Sequence, residues 1–226
     1  MGAGRRAAHS HALMELRVGC APDVPVQRLQ AFLGLLFERD GALAADVLHL
    51  PSAEQLALLR AGGLDFALVH EAPARDGVDA AGLYRGEPLH AFVGLAHRAA
   101  GREQVPLESF AGETLLVVPR RSEPGVHDHI VRLTQRDGGP LRRIREAPGP
   151  DPRDLLFAAA GGRGVALSAR SALRAVGDIR DTVASLALEP PVSMPETLLA
   201  WPAQGDSGLG RVRSAAREIA HELYAG

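Results

Sequence analysis

Apolar and polar residues alternate from Glu15 to Cys20, a period of two that predicts a short strand. Beyond Pro22 and Pro25 the period changes. Val26, Leu29, Phe32, Leu33, Leu36 and Phe37 recur every three or four positions, which predicts an amphipathic helix over 24–39 that turns at Asp40-Gly41. Asp46 to Leu50 predicts a second strand. Pro51-Ser52 opens another helix, with Leu56, Leu59 and Leu64 on one side and Gly62-Gly63 as its stop. Asp65 to His70 (DFALVH) is apolar enough for a strand buried on both faces.

The same order then returns. Glu113–Val118 predicts a strand, Ser122–Asp137 a helix carrying Val126, Ile130, Val131 and Leu133, and Leu141–Glu146 a strand. Asp154–Ala160 begins a helix that ends at Gly161-Gly162, and Gly164–Ser168 predicts a strand. Val18 falls against Leu116, Leu48 against Glu146 and Ala67 against Val165, a repeat of element order and not of identity. Two β-α-β-α-β units imply two α/β lobes with parallel sheets, because strand–helix alternation gives right-handed crossovers. Leu89–Ala96, and Val183–Leu188 followed by Thr197–Trp201, read as strands that cross between the lobes. A last helix is expected over Leu209–Tyr224. The expected division is a discontinuous first lobe of 15–90 plus 195–226, a second lobe of 91–194, and a linker remnant at 1–14. Two crossings make a hinge over a cleft, where open α/β sheets bind ligands.

Composition narrows the function. The 226 residues carry a formal charge of −2, which argues against binding nucleic acid mainly through phosphates. With 46 % hydrophobic and 23 % charged residues the chain can bury a sizeable core as an ordinary soluble protein. No apolar run approaches the length of a membrane span, and residues 1–16 hold no apolar signal core. One cysteine excludes an internal disulfide framework and makes a reducing, cytoplasmic setting the expectation. The chain contains no Lys and no Asn, which reads as a GC-rich genome and not as a function of its arginines.

The ordered set of segments resembles the effector-binding domain of LysR-type transcriptional regulators, built on the type 2 periplasmic-binding-protein fold. The stretches that carry the resemblance are LRVGCAPDVPVQRLQAFLGLLFERDG at 16–41, LHLPSAEQLALLRAGGLDFALVH at 48–70, GEPLHAFVGLAHRAAGREQVPLESFAGETLLVVP at 86–119 and LLFAAAGGRGVALSARSAL at 155–173. The resemblance implies a small-molecule effector, a carboxylate or aromatic acid, held between the lobes. It implies a homodimer or tetramer, with the 24–39 helix and the helix near 124–136 as surfaces. DNA is contacted only through an N-terminal winged helix-turn-helix, which these residues lack. It implies no enzyme activity, no cofactor and no metal. A transporter's solute-binding protein shares the fold but needs a secretion signal or anchor cysteine at its start. An enzyme on this fold needs a convergent acid–base set, for which Asp23 and His70 are the candidates.

Parallel lobes aim helix N-termini, which favour anions, at the cleft. The starts concerned are Pro22-Asp23, Ser52, Ser122 and Pro150-Asp151. The resemblance makes Ser52 a direct ligand contact through its hydroxyl and N–H; an ordinary N-cap role is compatible with that. One of Arg120 and Arg121, facing inward, would suit a carboxylate; the other reading is a solvated surface pair. Asp23 would repel an anion, unless it serves as a cap or meets an amine or hydroxyl. His70 reads as a ligand contact or a satisfied structural histidine, and Pro150, Asp151 and Ser168 line the second lobe's edge by resemblance. Gly205-Asp206-Ser207-Gly208 is similar to a serine-protease nucleophile loop but opens a terminal helix and reads as a cap. His127 and His129 are two apart and so diverge on a helix, which argues against a metal pair. Gly161-Gly162-Arg163-Gly164 lacks the Lys-Ser/Thr of a phosphate loop, and Cys20 reads as a small buried apolar residue.

Overall fold

In chain order the first strands and helices are β1 (Met14–Cys20), α1 (Val26–Arg39), β2 (Leu43–His49), α2 (Ser52–Arg60), β3 (Phe66–Val69), β4 (Val78–Tyr84) and β5 (Leu89–Gly94). The short β6 (Gln104–Val105), β7 (Thr114–Val117), α3 (Pro124–Gln135), β8 (Arg143–Glu146), α4 (Pro152–Ala160) and β9 (Val165–Ala169) follow, then β10 (Val183–Leu188), β11 (Thr197–Pro202) and α5 (Gly210–Ala225). The structure, a computed structural model, describes residues 13–70, 77–135, 143–174, 176–204 and 207–226. Parts of the expected 1–14 linker, of the 122–137 helix and 141–146 strand, and of the Gly205–Gly208 loop therefore lie outside the described residues.

The strands form two sheets, in the orders β2-β1-β3-β11-β4 and β6-β10-β5-β9-β7-β8. The expected repeat is visible in the pairing. β1 lies between β2 and β3, all parallel, with Val18 opposite Val47 and Phe66. β7 lies in the same way between β8 and β9, with Leu116 opposite Arg145 and Ala166. The sheets are not wholly parallel as the alternation suggested. β11 runs antiparallel to β3, and β5 antiparallel to β9. The reason is the double crossing: each sheet admits a strand arriving from the other lobe, and that strand enters against the local direction. Leu89–Gly94 and Val183–Leu188, expected as crossing strands, pair with each other inside the second sheet.

β4 was not legible as a strand. Its residues, VDAAGLY, are small and weakly apolar. Gly82 lies under the Tyr224 ring of α5, where an added Cβ would come within 2.8 Å of the ring. The strand is thus specified by the helix packed on it. α5 also lies along α1, and Arg39 spans the two by ion pairs to Glu218 and Glu222 at 2.6 and 2.5 Å.

Each sheet has its own apolar core. Leu16, Val18, Phe32, Leu36, Phe66, Trp201 and Ile219 pack around the first, and Phe92, Phe110, Leu115, Ile130, Leu156 and Val165 around the second. At about 25 cal/mol per Å² of apolar surface, these separate cores stabilise each lobe in its own right. The lobes are joined where the two crossings run antiparallel: Leu89 N–H donates to Val192 O and Met194 N–H to Glu87 O, both at 2.8 Å. Gly86 makes this possible, since a Cβ there would lie 1.8 Å from the Met194 carbonyl oxygen. Gly86→Ala is therefore expected to destabilise the fold by about 2–4 kcal/mol, read as a lower urea midpoint with an unchanged m-value. An unaltered midpoint would mean the crossings part without cost.

Candidate functional site

The carboxyl ends of β1, β3 and β7 converge where the lobes meet. β1 runs out into Pro22-Asp23, β3 into His70, and β7 through Val118-Pro119 into a turn whose end is Glu123. Between them lies a cavity of about 10 Å³, room for about one water molecule. Its walls include Asp23, Glu123, His127, Pro150, Ser168 and Met194. A wider recess of about 280 Å³ opens beside it, against Pro22, Asp23, His49, Pro152 and Arg174.

Asp23 and His70 form a buried ion pair, Nε2 to Oδ1 at 3.1 Å, with 6 % of the histidine side chain exposed. The other ring nitrogen, Nδ1, faces the Glu196 carbonyl at 3.0 Å. Burial pulls the imidazole toward its neutral form, but the Asp23 carboxylate outweighs it and holds the pKa at about 9. Burial likewise favours neutral Asp23, and the imidazolium beside it holds the carboxyl below its ordinary value. So the two candidates for acid–base work do converge, but both nitrogens of the ring are turned to protein partners.

Ser52 is completely buried. It is the first helical residue of α2, behind Pro51, and its side chain does not cap its own helix. Its hydroxyl instead accepts the His70 N–H at 3.4 Å. Its own N–H crosses the cleft to Glu123 Oε1 at 2.9 Å, and the next N–H, of Ala53, donates to Ser122 O at 3.1 Å. The N-terminus of a first-lobe helix therefore holds a second-lobe carboxylate, the charge that a helix start favours. Burial, with Asp23 nearby, pushes the Glu123 carboxyl up to about 7.

The other residues singled out from sequence are placed as follows. Pro150 and Ser168 line the small cavity and Pro22 the wider recess. Asp151 caps α4, accepting the Arg153 N–H at 2.8 Å, and pairs with the Arg153 side chain. Arg120 and Arg121 are exposed, Arg120 is bound to Asp128 at 2.7 Å, and neither lines the small cavity or the wider recess. The reason is the turn after β7: Ser122 and Glu123 both donate N–H to Pro119 O, which rolls the chain so that Glu123 enters. His127 and His129 do diverge. His127 Nδ1 meets Val118 O at 2.9 Å, and His129 Nε2 meets Ser193 O at 2.7 Å. No cluster able to hold a metal occurs among the described residues. Cys20 is buried, and burial together with Asp23 pushes its thiol up to about 12. Sequence reasoning missed Glu123, Arg174 and the buried Gln55, which donates to Leu50 O at 2.6 Å. A glutamate before Pro124 at a helix start was the available signal for the first.

These ionisations give stability a pH dependence. The Glu123 carboxyl rises on folding, so its contribution is complete below 4.5 and is lost as pH rises to about 7. The His70 pKa also rises, so its contribution is complete below 6.5 and is lost as pH rises through about 9. Chemical unfolding from pH 4.5 to 9.5 should show stability falling over both windows. His70→Gln should lose the upper limb and about 3–5 kcal/mol at neutral pH, because it strands Asp23; an unchanged upper limb would place the titration elsewhere.

A family model described as the LysR substrate binding domain matches residues 10–218. No curated protein matches the chain. Among solved structures, a putative LysR-family transcriptional regulator from Pseudomonas aeruginosa is similar at a TM-score of 0.72 and 19 % identity, over 94 % of this chain and 76 % of that one. The regulatory domain of Synechocystis CcmR, in complex with 2-PG, is similar at 0.70 and 16 %, over 93 % and 99 %. The BenM effector-binding domain, with its effector benzoate, is similar at 0.71 and 17 %, over 93 % and 92 %. At these identities the solved structures bear on the fold alone.

Proposed function

The chain belongs to the LysR substrate-binding-domain family, and on that premise we propose that it senses a small carboxylic acid in the cleft between its lobes. The observation that carries this reading is the Ser52 N–H. It sits at a helix start, buried at the lobe boundary, and already meets a carboxylate, that of Glu123, at 2.9 Å. A site that holds one carboxylate has the dipole and the donor to hold another. Ser52 and Ser168 supply polar contacts, Pro150 and Met194 the apolar wall, and the 280 Å³ recess with Arg174 the room for the body of the molecule.

The effector acts by binding one lobe arrangement better than the other, which shifts their populations by its differential affinity. In this reading the signal passes to DNA through other residues of a cytoplasmic regulator. The chain associates with copies of itself through α1 and α3, and the acid is bound without turnover. No helix of the described residues is long and apolar enough to cross a membrane.

Thermal unfolding against a panel of small carboxylates, aromatic acids, amines and sugars tests the reading. At a hundredfold excess over Kd a ligand stabilises by about 2.7 kcal/mol, several degrees for a chain of this size. One class of acid is expected to give that shift. Ser52→Pro deletes the N–H at a helix position that tolerates proline and should abolish it. Stabilisation by amines or sugars with none by any acid would overturn the carboxylate assignment.

A further inference from the structure

Glu123 is an unusual wall for a cleft. It belongs to the second lobe, at the start of α3, yet its Oε1 takes the first N–H of α2 on the other lobe. The residue is 2 % exposed. Its second oxygen, Oε2, is buried without a hydrogen-bond partner, and the side chain lines the cavity of about 10 Å³. Leaving one oxygen of a buried carboxyl unsatisfied is costly, so this is a poor way merely to fill space. The donors an incoming acid would need at this helix start are those of Ser52 and Ala53. The first is occupied by Glu123 and the second by the Ser122 carbonyl. An acid can reach them only if this corner of the second lobe withdraws.

We propose that Glu123 is a tethered stand-in for the effector's carboxylate: it fills the anion site at the start of α2, draws the lobes together over it, and gives up the site to the carboxylate of a small acid. The proposal rests on the reading of the cleft as an effector site. One carboxylate exchanges for another at the Ser52 N–H, and no covalent bond is made or broken. The acid gains a site already shaped for its head group, and the lobes part as Glu123 leaves.

The charged and titratable groups facing Glu123 are Asp23 after β1, His70 after β3 and His127 one turn along α3. The docked Glu123 carboxyl is raised to about 7, so it takes up a proton that the released side chain would not hold, and lowering the pH from 8 to 6 favours the docked state. A simple acid that ionises near pH 4 stays charged across that range. The internal competitor therefore holds the site more firmly at pH 6 than at pH 8, while the charge of the external one is unchanged.

The test compares the wild-type chain with Glu123→Gln, which keeps the shape, and Glu123→Ala, which removes the acceptor. Without ligand, Glu123→Ala should speed exchange of the Ser52 and Ala53 amides about tenfold or more and raise the radius of gyration. Unchanged exchange and dimensions would overturn the proposal, because Glu123 would then not hold the cleft. With benzoate and acetate as probes, binding is followed at the Ser52 amide resonance. At pH 8 both variants should bind about tenfold tighter than wild type, as loss of a charge-assisted bond implies. Wild type should bind up to about tenfold more weakly at pH 6 than at pH 8, because the docked Glu123 holds a proton that it must give up on release, while both variants stay level. His127 is common to all three chains and so cannot produce that difference.

Equal or weaker binding by the variants would overturn the proposal. If benzylamine instead shifts the Ser52 amide in wild type and not in Glu123→Ala, Glu123 is a contact for a cation. Sensing in the cleft would then stand, but the stand-in would fall. If no probe of either charge moves the Ser52 amide in any of the three chains, the placement of the effector site falls with it.

Discussion

Two backbone hydrogen bonds, Leu89 N–H to Val192 O and Met194 N–H to Glu87 O, tie the crossings together, and the rest of the molecule is arranged about them. They require the chain to pass between lobes twice, side by side and in opposite directions. That demand makes both sheets mixed, places β11 in the first sheet and β5 in the second, and calls for a glycine at position 86. It also leaves the facing ends of β1, β3 and β7 as a seam that the crossings hold on one side only. A seam held on one side can open, which is the mechanical property a sensor needs.

Across that seam the electrostatics are unusually concentrated. Asp23 and His70 form their ion pair within the first lobe, so its length does not depend on how far the lobes stand apart. Glu123 depends on the other lobe for its hydrogen bond and for the positive end of α2. The fixed pair sets the local potential, and the Glu123 carboxylate, held by the other lobe, feels whether the cleft is closed. Proton affinity and lobe position are therefore coupled at one side chain.

Much of the fold was legible because it repeats. Period-two and period-3.6 patterns, in the order strand, helix, strand, helix, strand, gave both β-α-β-α-β units, and glycine pairs gave the ends of α2 and α4. β4 escaped because Ala80, Ala81 and Gly82 carry no apolar signal of their own; what fixes them is Tyr224, far along the chain. The site was legible in part for a related reason. Ser52 and Asp23 follow directly from strand ends, so sequence places them at the cleft. After β7 the chain runs Arg120, Arg121, Ser122, Glu123, and which of these enters depends on the rotation of one tight turn at Pro119. Charge preference pointed to the arginines; backbone geometry chose the glutamate.

The placement of β11 has a consequence for how the molecule is made. Every strand of the second sheet lies between Leu89 and Leu188, so that sheet has all its parts as soon as that stretch has left the ribosome. The first sheet does not. β11 lies between β3 and β4, with Leu199 paired to Leu68, and α5 must still close over β4. The N-terminal strands therefore wait, incompletely paired, while the lobe encoded after them folds. Such distant pairings slow folding and leave edges exposed meanwhile. The order of completion runs against the order of synthesis: the second lobe is finished first, and the first is sealed only by β11 and α5.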